Sequence, residues 1–259
     1  MLKNTLKPLM KFKIEPAEQI TNKKAFSLNY LLGVSMLYMA LMILSGTTVY
    51  KIITIGYYIG PAGILVTPFI YSLSNVTTEV YGYAVARNMM WWFVISSFVF
   101  TFGGSVLSVL PSPQDFHEQH AFNVIFGSMP IVFIAGTIGT IFGISFNNYV
   151  VSKLKIHMNS KKYWIRSFIS TAGGEILYNF IAYPIMWYHK VPFDIFIKIF
   201  ISVTLFKMAT TCVVWPLECL FAAFLKKKEG INTMDYNVKY NIFHFSVHKY
   251  KKPSLKIVK

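Results

Sequence analysis

The run AFNVIFGSMPIVFIAGTIGTIFGISFNN, residues 121–148, carries no Asp, Glu, Lys or Arg and exceeds the roughly 20 apolar residues needed to cross a bilayer. The whole chain agrees with it. Of 259 residues, 54% are Ala, Val, Ile, Leu, Met, Phe, Trp, Tyr or Cys and 14% are charged, and the mean hydropathy is +0.49. That leaves too little polar surface to cover a water-soluble globule. Working outward, charge-poor stretches of spanning length recur at 27–49, 52–75, 88–110, 121–148, 167–189 and 199–225. They predict an all-α integral membrane protein, a six-helix transmembrane bundle.

The net charge of +15 suits either nucleic acid or membrane orientation, and position decides between them. Lys3, Lys7, Lys11, Lys13, Lys23 and Lys24 precede the first span; Lys153, Lys155, Lys161, Lys162 and Arg166 fill the fourth connection; nine lysines lie from Lys226 to Lys259. The alternate connections carry Lys51, then only Asp115 and Glu118, then Lys190 and Lys198. Arg87 alone marks the second connection. The positive-inside rule therefore places both termini in the cytoplasm, and nucleic acid is not an expected partner. The expected organisation is a basic cytoplasmic segment, 1–26, a six-span unit, 27–228, and a basic cytoplasmic tail, 229–259. A cleaved signal peptide is not expected, since basic, Pro-containing sequence precedes the first span and no small-residue cleavage site follows a short apolar run. In the tail, Asn241–Phe245 and His248–Lys252 mix aromatics with lysines as a segment against anionic lipid would; a solvated tail that only fixes orientation is the plainer reading.

Pro61 and Pro68, with Gly56, Gly60 and Gly63, predict that the second span is a helix broken by proline, because each ring removes a ladder hydrogen bond and clashes one turn back. Such a break lines a substrate cavity in transporters, or it is an ordinary kink in a packing helix. Gly136, Gly139 and Gly143 predict the close approach of another helix. No phosphate loop, nucleophile elbow or H-E-x-x-H pattern occurs, so neither an ATP-hydrolysing engine nor an enzyme is expected. Cys212 and Cys219 offer neither a disulfide framework nor a zinc site. His117 with His120, and His244 with His248, lack a third ligand close by; no metal and no cofactor are expected.

Charges inside the spans cost roughly 3 kcal/mol each on insertion scales and need a reason. Glu175 lies about eight residues in from the inner end of the fifth span and Lys207 about eight in from the outer end of the sixth, depths that differ by only a few Å. A lysine side chain covers that difference, which predicts a Glu175–Lys207 ion pair facing the bundle interior. Glu218, about two turns before Lys226, is expected at the interface.

Lys51-Ile52-Ile53, Pro61-Ala62-Gly63-Ile64-Leu65, Pro68-Phe69-Ile70-Tyr71 and above all Thr78-Glu79-Val80-Tyr81-Gly82-Tyr83-Ala84-Val85-Ala86-Arg87 resemble the queuosine precursor transporter family, also called the vitamin uptake transporter family. Asn148-Tyr149-Val150-Val151-Ser152-Lys153-Leu154-Lys155, Trp164-Ile165-Arg166, Ser170-Thr171 with Gly174, and Lys207 followed by Trp215-Pro216 continue the resemblance, which covers about 28–228. It implies a multi-pass importer in the bacterial inner membrane, with 7-deazapurine bases, salvaged for the queuosine modification of transfer RNA, as its small-molecule partner. A guanine-like edge offers two adjacent N–H donors to a carboxylate, and its flat ring stacks on aromatics. Trp91, Trp92, Trp187, Tyr71, Tyr178 and Tyr183 are candidate surfaces, Tyr71 and Tyr178 first among them.

Two positions that are often aspartate in the family stand here as Asn75 and Tyr178. Glu175, three residues before Tyr178 on the same helix face, is expected to replace the missing acid. The expected substrate residues are thus Glu175, Lys207, Tyr178, Asn75, Tyr71 and Asn179, and the expected gate is Glu79 and Arg87 with Tyr81 and Gly82. Alternatives stay open at this point: a membrane substrate-binding subunit of an ATP-driven vitamin or purine uptake system, or a scaffold or channel. The cargo stays open among the cyano base, the aminomethyl base, free queuine and a related purine or vitamin, and a homo-oligomer is among the open partners.

Overall fold

All but one of the charge-poor runs fold as helices, and they bury polar and charged side chains while turning many large apolar ones outward. The computed structural model describes residues 29–56, 58–187, 191–236 and 238–244; the basic segment before the first span, Lys190, His248 and the last lysines lie outside them. In chain order the elements are α1 (Asn29–Thr47), β1 (Ile52–Ile55), β2 (Tyr58–Pro61), a 3-10 turn (Ala62–Leu65), α2 (Thr67–Tyr81), α3 (Tyr83–Ser108), α4 (Gln119–His157), α5 (Tyr163–Trp187) and α6 (Phe193–Glu229). By length and composition, α1, α3, α4 and α6 can cross a membrane. Buried positions hold Asn75, Glu79, Asn147, Arg166, Glu175, Asn179 and Lys207, while Leu32, Val99, Phe102, Leu107, Val213 and Leu220 point outward. Water would reverse that arrangement; lipid accounts for it.

The second span corrects the expectation of one proline-broken helix. Ile52–Ile55 and Tyr58–Pro61 pair as an antiparallel hairpin, Ile52 opposite Pro61 and Ile55 opposite Tyr58. The β-branched run Ile52-Ile53-Thr54-Ile55 favours a strand, and Gly56 turns the chain at φ +58°, where a side chain would be strained. Neither proline kinks a helix. Pro61 ends the hairpin at φ −60° and leads into the 3-10 turn; Pro68 sits in the first turn of α2, where a missing N–H costs nothing. The helical part, α2, has 15 residues, roughly 22 Å, shorter than the ~30 Å hydrocarbon core.

The α4 and α5 helices form the closest pair, for the reason the glycines predict. A Cβ on Gly143 would lie 2.8 Å from the Gly174 carbonyl oxygen, and one on Gly139 would lie 2.9 Å from the Ala182 Cβ. Gly136 differs: its Cβ would meet only the Tyr178 hydroxyl, at 3.7 Å. With 39 and 37 residues, α4 and α6 run to about 58 and 56 Å and project beyond any hydrocarbon core. Lys153 and Lys155 therefore stand on the last turns of α4 rather than in a loop. On α6 the buried positions Val203, Lys207, Thr211, Val214, Glu218, Ala222 and Leu225 repeat every three or four residues, the period of one helix face. Gly230, at φ +66°, ends α6 by donating to the Lys226 carbonyl, an αL cap. The chain then packs back: Thr233 N–H donates to the Val80 carbonyl at 3.1 Å.

Candidate functional site

Helical spacing turns three polar seams toward one another. Tyr71, Asn75 and Glu79 follow one another every fourth residue on α2; Glu175, Tyr178, Asn179, Ala182 and Tyr183 share a face of α5. With Lys207 and Glu218 of α6 they occupy the centre of the bundle. On the side of the α1 and α5 C-termini, Tyr71, Tyr178, Tyr183 and Lys207 border a cavity of about 100 Å³, several times the ~10–15 Å³ that one water needs. Phe93, Met129, Val132 and Ile144 make much of its wall apolar, while Tyr71, Thr137, Tyr178, Tyr183 and Lys207 add polar atoms. The Tyr71 hydroxyl and Thr137 Oγ1 are buried without a hydrogen-bond partner, a cost that a bound polar group would remove.

Lys207 is the charged residue of that wall among the described residues. It is 2% exposed, and its Nζ lies 5.1 Å from the Tyr178 ring centre and 5.8 Å from that of Tyr183, within cation–π range. The expected direct ion pair with Glu175 does not form. Lys207 Nζ donates instead to Asn179 Oδ1 at 2.8 Å. Asn179 also donates to Thr204 Oγ1 at 3.1 Å, so it, and not Glu175 one turn away, is level with Lys207. Glu175 is 1% exposed, its Oε1 has no hydrogen-bond partner, and it interacts electrostatically with Lys207, Tyr71 and Tyr183. It stands behind the wall rather than in it.

Asn75 forms a floor instead of lining the cavity. Its Nδ2 donates to Thr171 Oγ1 at 2.8 Å and Ser167 Oγ at 3.1 Å, and its Oδ1 accepts from Asn147 Nδ2 at 2.7 Å. Ser74 Oγ donates to Asn148 Oδ1 at 2.7 Å. Glu218 joins this layer, accepting from Ser167 and, at 2.6 Å, from the Tyr163 hydroxyl. At 3% exposure it is interior, not interfacial; α6 continues to Glu229, which keeps position 218 inside the bundle.

One turn beyond Asn75, Glu79 is wholly buried and faces three cations. Arg166 binds it through two parallel bonds, Nη1 to Oε2 at 2.7 Å and Nη2 to Oε1 at 3.1 Å; Lys226 binds Oε1; Lys155 Nζ lies 3.8 Å from Oε1 and donates to the Glu79 and Thr233 carbonyls. Arg87, grouped with Glu79 in the expected gate, is not among the cations bound to it. Gly82, at φ +92° and ψ 166°, separates α2 from α3, so Glu79 faces α5 and α6 while Arg87 faces the returning chain. Arg87 Nη1 donates to the carbonyls of Lys239 at 2.8 Å and Asn241 at 3.0 Å. Tyr81 is buried beside Glu229.

The same returning segment covers Gly82. Asp235 Oδ2 accepts from the Tyr83 N–H at 3.0 Å and from Ser152 Oγ at 2.6 Å, an anion at the start of α3. Burial raises the Asp235 carboxyl above its ordinary value, against the opposing hydrogen bonds of Ser152 and Tyr83. Lys153 Nζ lies 4.3 Å from the Tyr240 ring centre, and Trp91 Nε1 donates to the Ile242 carbonyl at 2.7 Å. The part of the tail up to residue 244 is thus docked rather than solvated.

Of the aromatic candidates, Tyr71, Tyr178 and Tyr183 line the cavity, and Trp91, Trp92 and Trp187 do not. Sequence reasoning missed Thr137, Asn147, Arg166 and Asp235. Asp235 had a signal, being the single acid from Gly230 onward among the lysines. Among the described residues no cluster of three His, Cys, Asp or Glu could hold a metal.

The family model described as "Putative vitamin uptake transporter" matches residues 61–221, which contain the cavity's α2, α4 and α5 walls and Lys207. A protein of Bacillus subtilis (strain 168) named "Probable queuosine precursor transporter" is 30% identical over 150 residues, 57% of this chain. The match spans 65% of that relative's length. No solved structure matches.

Proposed function

The chain belongs to the vitamin uptake transporter family, and on that premise we propose that it imports queuosine precursors, 7-deazapurine bases, across a bacterial inner membrane for salvage into transfer RNA modification. In this reading the unit 27–228 crosses the membrane six times, the hairpin, 3-10 turn and α2 together forming the second crossing, with the segments 1–26 and 229–259 cytoplasmic. Tyr71 and Tyr178 border the ring, Lys207 meets its acceptor edge, Asn179 and Glu175 hold Lys207, and Asn75 closes the floor. The observation that carries the reading is the tyrosine-bordered cavity with an unpartnered Tyr71 hydroxyl, whose walls apart from α1 lie in the segment that matches the family.

Glu79, with Arg166, Lys155 and Lys226, is the inner gate of this proposal, Gly82 its hinge, Tyr81 its flank, and Arg87 the hold on the docked tail. The test is the queuosine content of transfer RNA in cells that cannot make the precursor, expressing this chain and fed each base at low concentration. Restoration supports import. Failure with every base, in cells shown to insert the protein, moves the cargo outside the deazapurines.

A further inference from the structure

We propose that Lys207 sets the charge selectivity of the cavity: it admits a neutral heterocycle whose ring carbonyl accepts from the Lys207 ammonium, and it rejects a cationic one. The inference rests on the deazapurine reading and narrows it to a neutral base, such as the cyano form, over the aminomethyl form.

The charge facing the cavity decides this. Among the described residues of the wall, Lys207 is charged and none is acidic. Glu175, the nearby carboxylate, is buried outside that wall. Asn179 takes one of the three ammonium donors and leaves two for cargo. The rings of Tyr178 and Tyr183 lie beside Nζ and hold the ammonium where it is, so it does not swing clear of an incoming cation.

A cargo ammonium entering so small a space would face a like charge in a low dielectric, with no carboxylate in the wall to accept it. A neutral lactam meets the opposite situation. Its carbonyl oxygen accepts from Lys207, and Tyr71 and Thr137, whose hydroxyls are buried without a hydrogen-bond partner, border the same cavity. Rejection of the cation has a consequence for energetics, because a neutral cargo gains nothing from the membrane potential. Its accumulation then depends on coupling or on metabolic trapping inside the cell.

The full-length protein in proteoliposomes held at zero membrane potential takes up radiolabelled cyano base while unlabelled aminomethyl base competes. The wild type should bind the aminomethyl base at least about tenfold more weakly than the cyano base. Lys207→Arg, which keeps the charge, should keep that preference, and Lys207→Met should narrow it to less than about threefold. Equal competition by the two bases in the wild type overturns the inference, as does an unchanged preference in Lys207→Met that still takes up the cyano base. If Lys207→Met fails to insert, the wild-type ratio and Lys207→Arg still decide. Uptake of neither base by inserted wild-type protein overturns the deazapurine reading, and the inference with it.

Discussion

Replacing Glu79 by glutamine removes the one carboxylate that Arg166, Lys155 and Lys226 share, while keeping its shape and one acceptor oxygen for Arg166. The cluster holds three cations and one anion, net +2 (3 − 1); glutamine makes it +3. Arg166 and Lys155 are within 1% of full burial, whereas the Lys226 side chain is 26% exposed and is partly screened by solvent. The loss therefore falls on the two interior cations. Leaving a buried charge without its partner costs roughly 3–5 kcal/mol. At about 2–4 °C per kcal/mol for a chain of this size, Tm should drop by about 6–20 °C in a fixed-rate thermal scan of the detergent-purified protein, read by tryptophan fluorescence. Removing an interior cation as well, in Glu79→Gln with Lys155→Met, should recover a good part of the loss, because neighbouring charges couple. A fall under about 2 °C in the single variant, or no recovery in the double, would refute the reasoning.

Gly82→Ala places a Cβ 2.8 Å from Asp235 Oδ1 and from Thr233 Cγ2 at φ +92°, a strain of about 1–3 kcal/mol; faster amide exchange across 231–241 checks it. Asp235 predicts a pH dependence of the same docking. Its carboxyl is raised by burial, so between the ordinary carboxylate pKa and the raised one the docked state binds more protons than the released state, and docking weakens as pH rises through that window. Protection of the amides of 231–241, corrected for the intrinsic pH dependence of exchange, should accordingly be stronger at the acid end; a flat profile in the wild type, or a slope that persists in Asp235→Asn, would refute the linkage. Glu175→Gln should lower uptake by about tenfold or more without loss of inserted protein, since it removes the charge that faces Lys207; unchanged uptake would remove Glu175 from the site.

Charge-free runs show where helices are because the bilayer forbids unpaired backbone and charge alike, and Ala121–Asn148 was legible on that ground alone. The second apolar run was not, since a tally of apolar residues over 52–75 ignores period. The β-branched Ile52-Ile53-Thr54-Ile55 before Gly56, and Pro61 at the end of a possible hairpin, were the local signs of a strand pair. For the site, spacing placed Glu175, Tyr178 and Asn179 on one face and put Lys207 at a matching depth, but it could not say which of them meets Lys207. A helical turn separates Glu175 from Asn179, and only the bond from Asn179 to Thr204 fixes the level. The Glu79 partners were less legible still: Arg166 and Lys226 lie 87 and 147 positions away. In the sequence they read as orienting charges, and the fold gives the same residues a second use.

That double use ties the cavity to its far end through a single element. Tyr71, Asn75 and Glu79 repeat every fourth residue on α2, so one helix face carries a cavity hydroxyl, the centre of the floor and the anion of the inner cluster. Each is held by a different neighbour: Tyr71 packs on Met90 and Ile144, Asn75 bonds α4 and α5, and Glu79 bonds α5 and α6. A short helix with the 3-10 turn before it and Gly82 after it is free of continuous helical backbone at both ends. Movement of α2 as a rigid body must therefore alter all three contacts together, whereas a longer helix through 52–81 would have pinned one end in the hairpin's place. The prolines and glycines that made this stretch a poor helix make it a separable one, which is what the proposed gating requires: a floor and a gate that open together in response to what sits beside Tyr71.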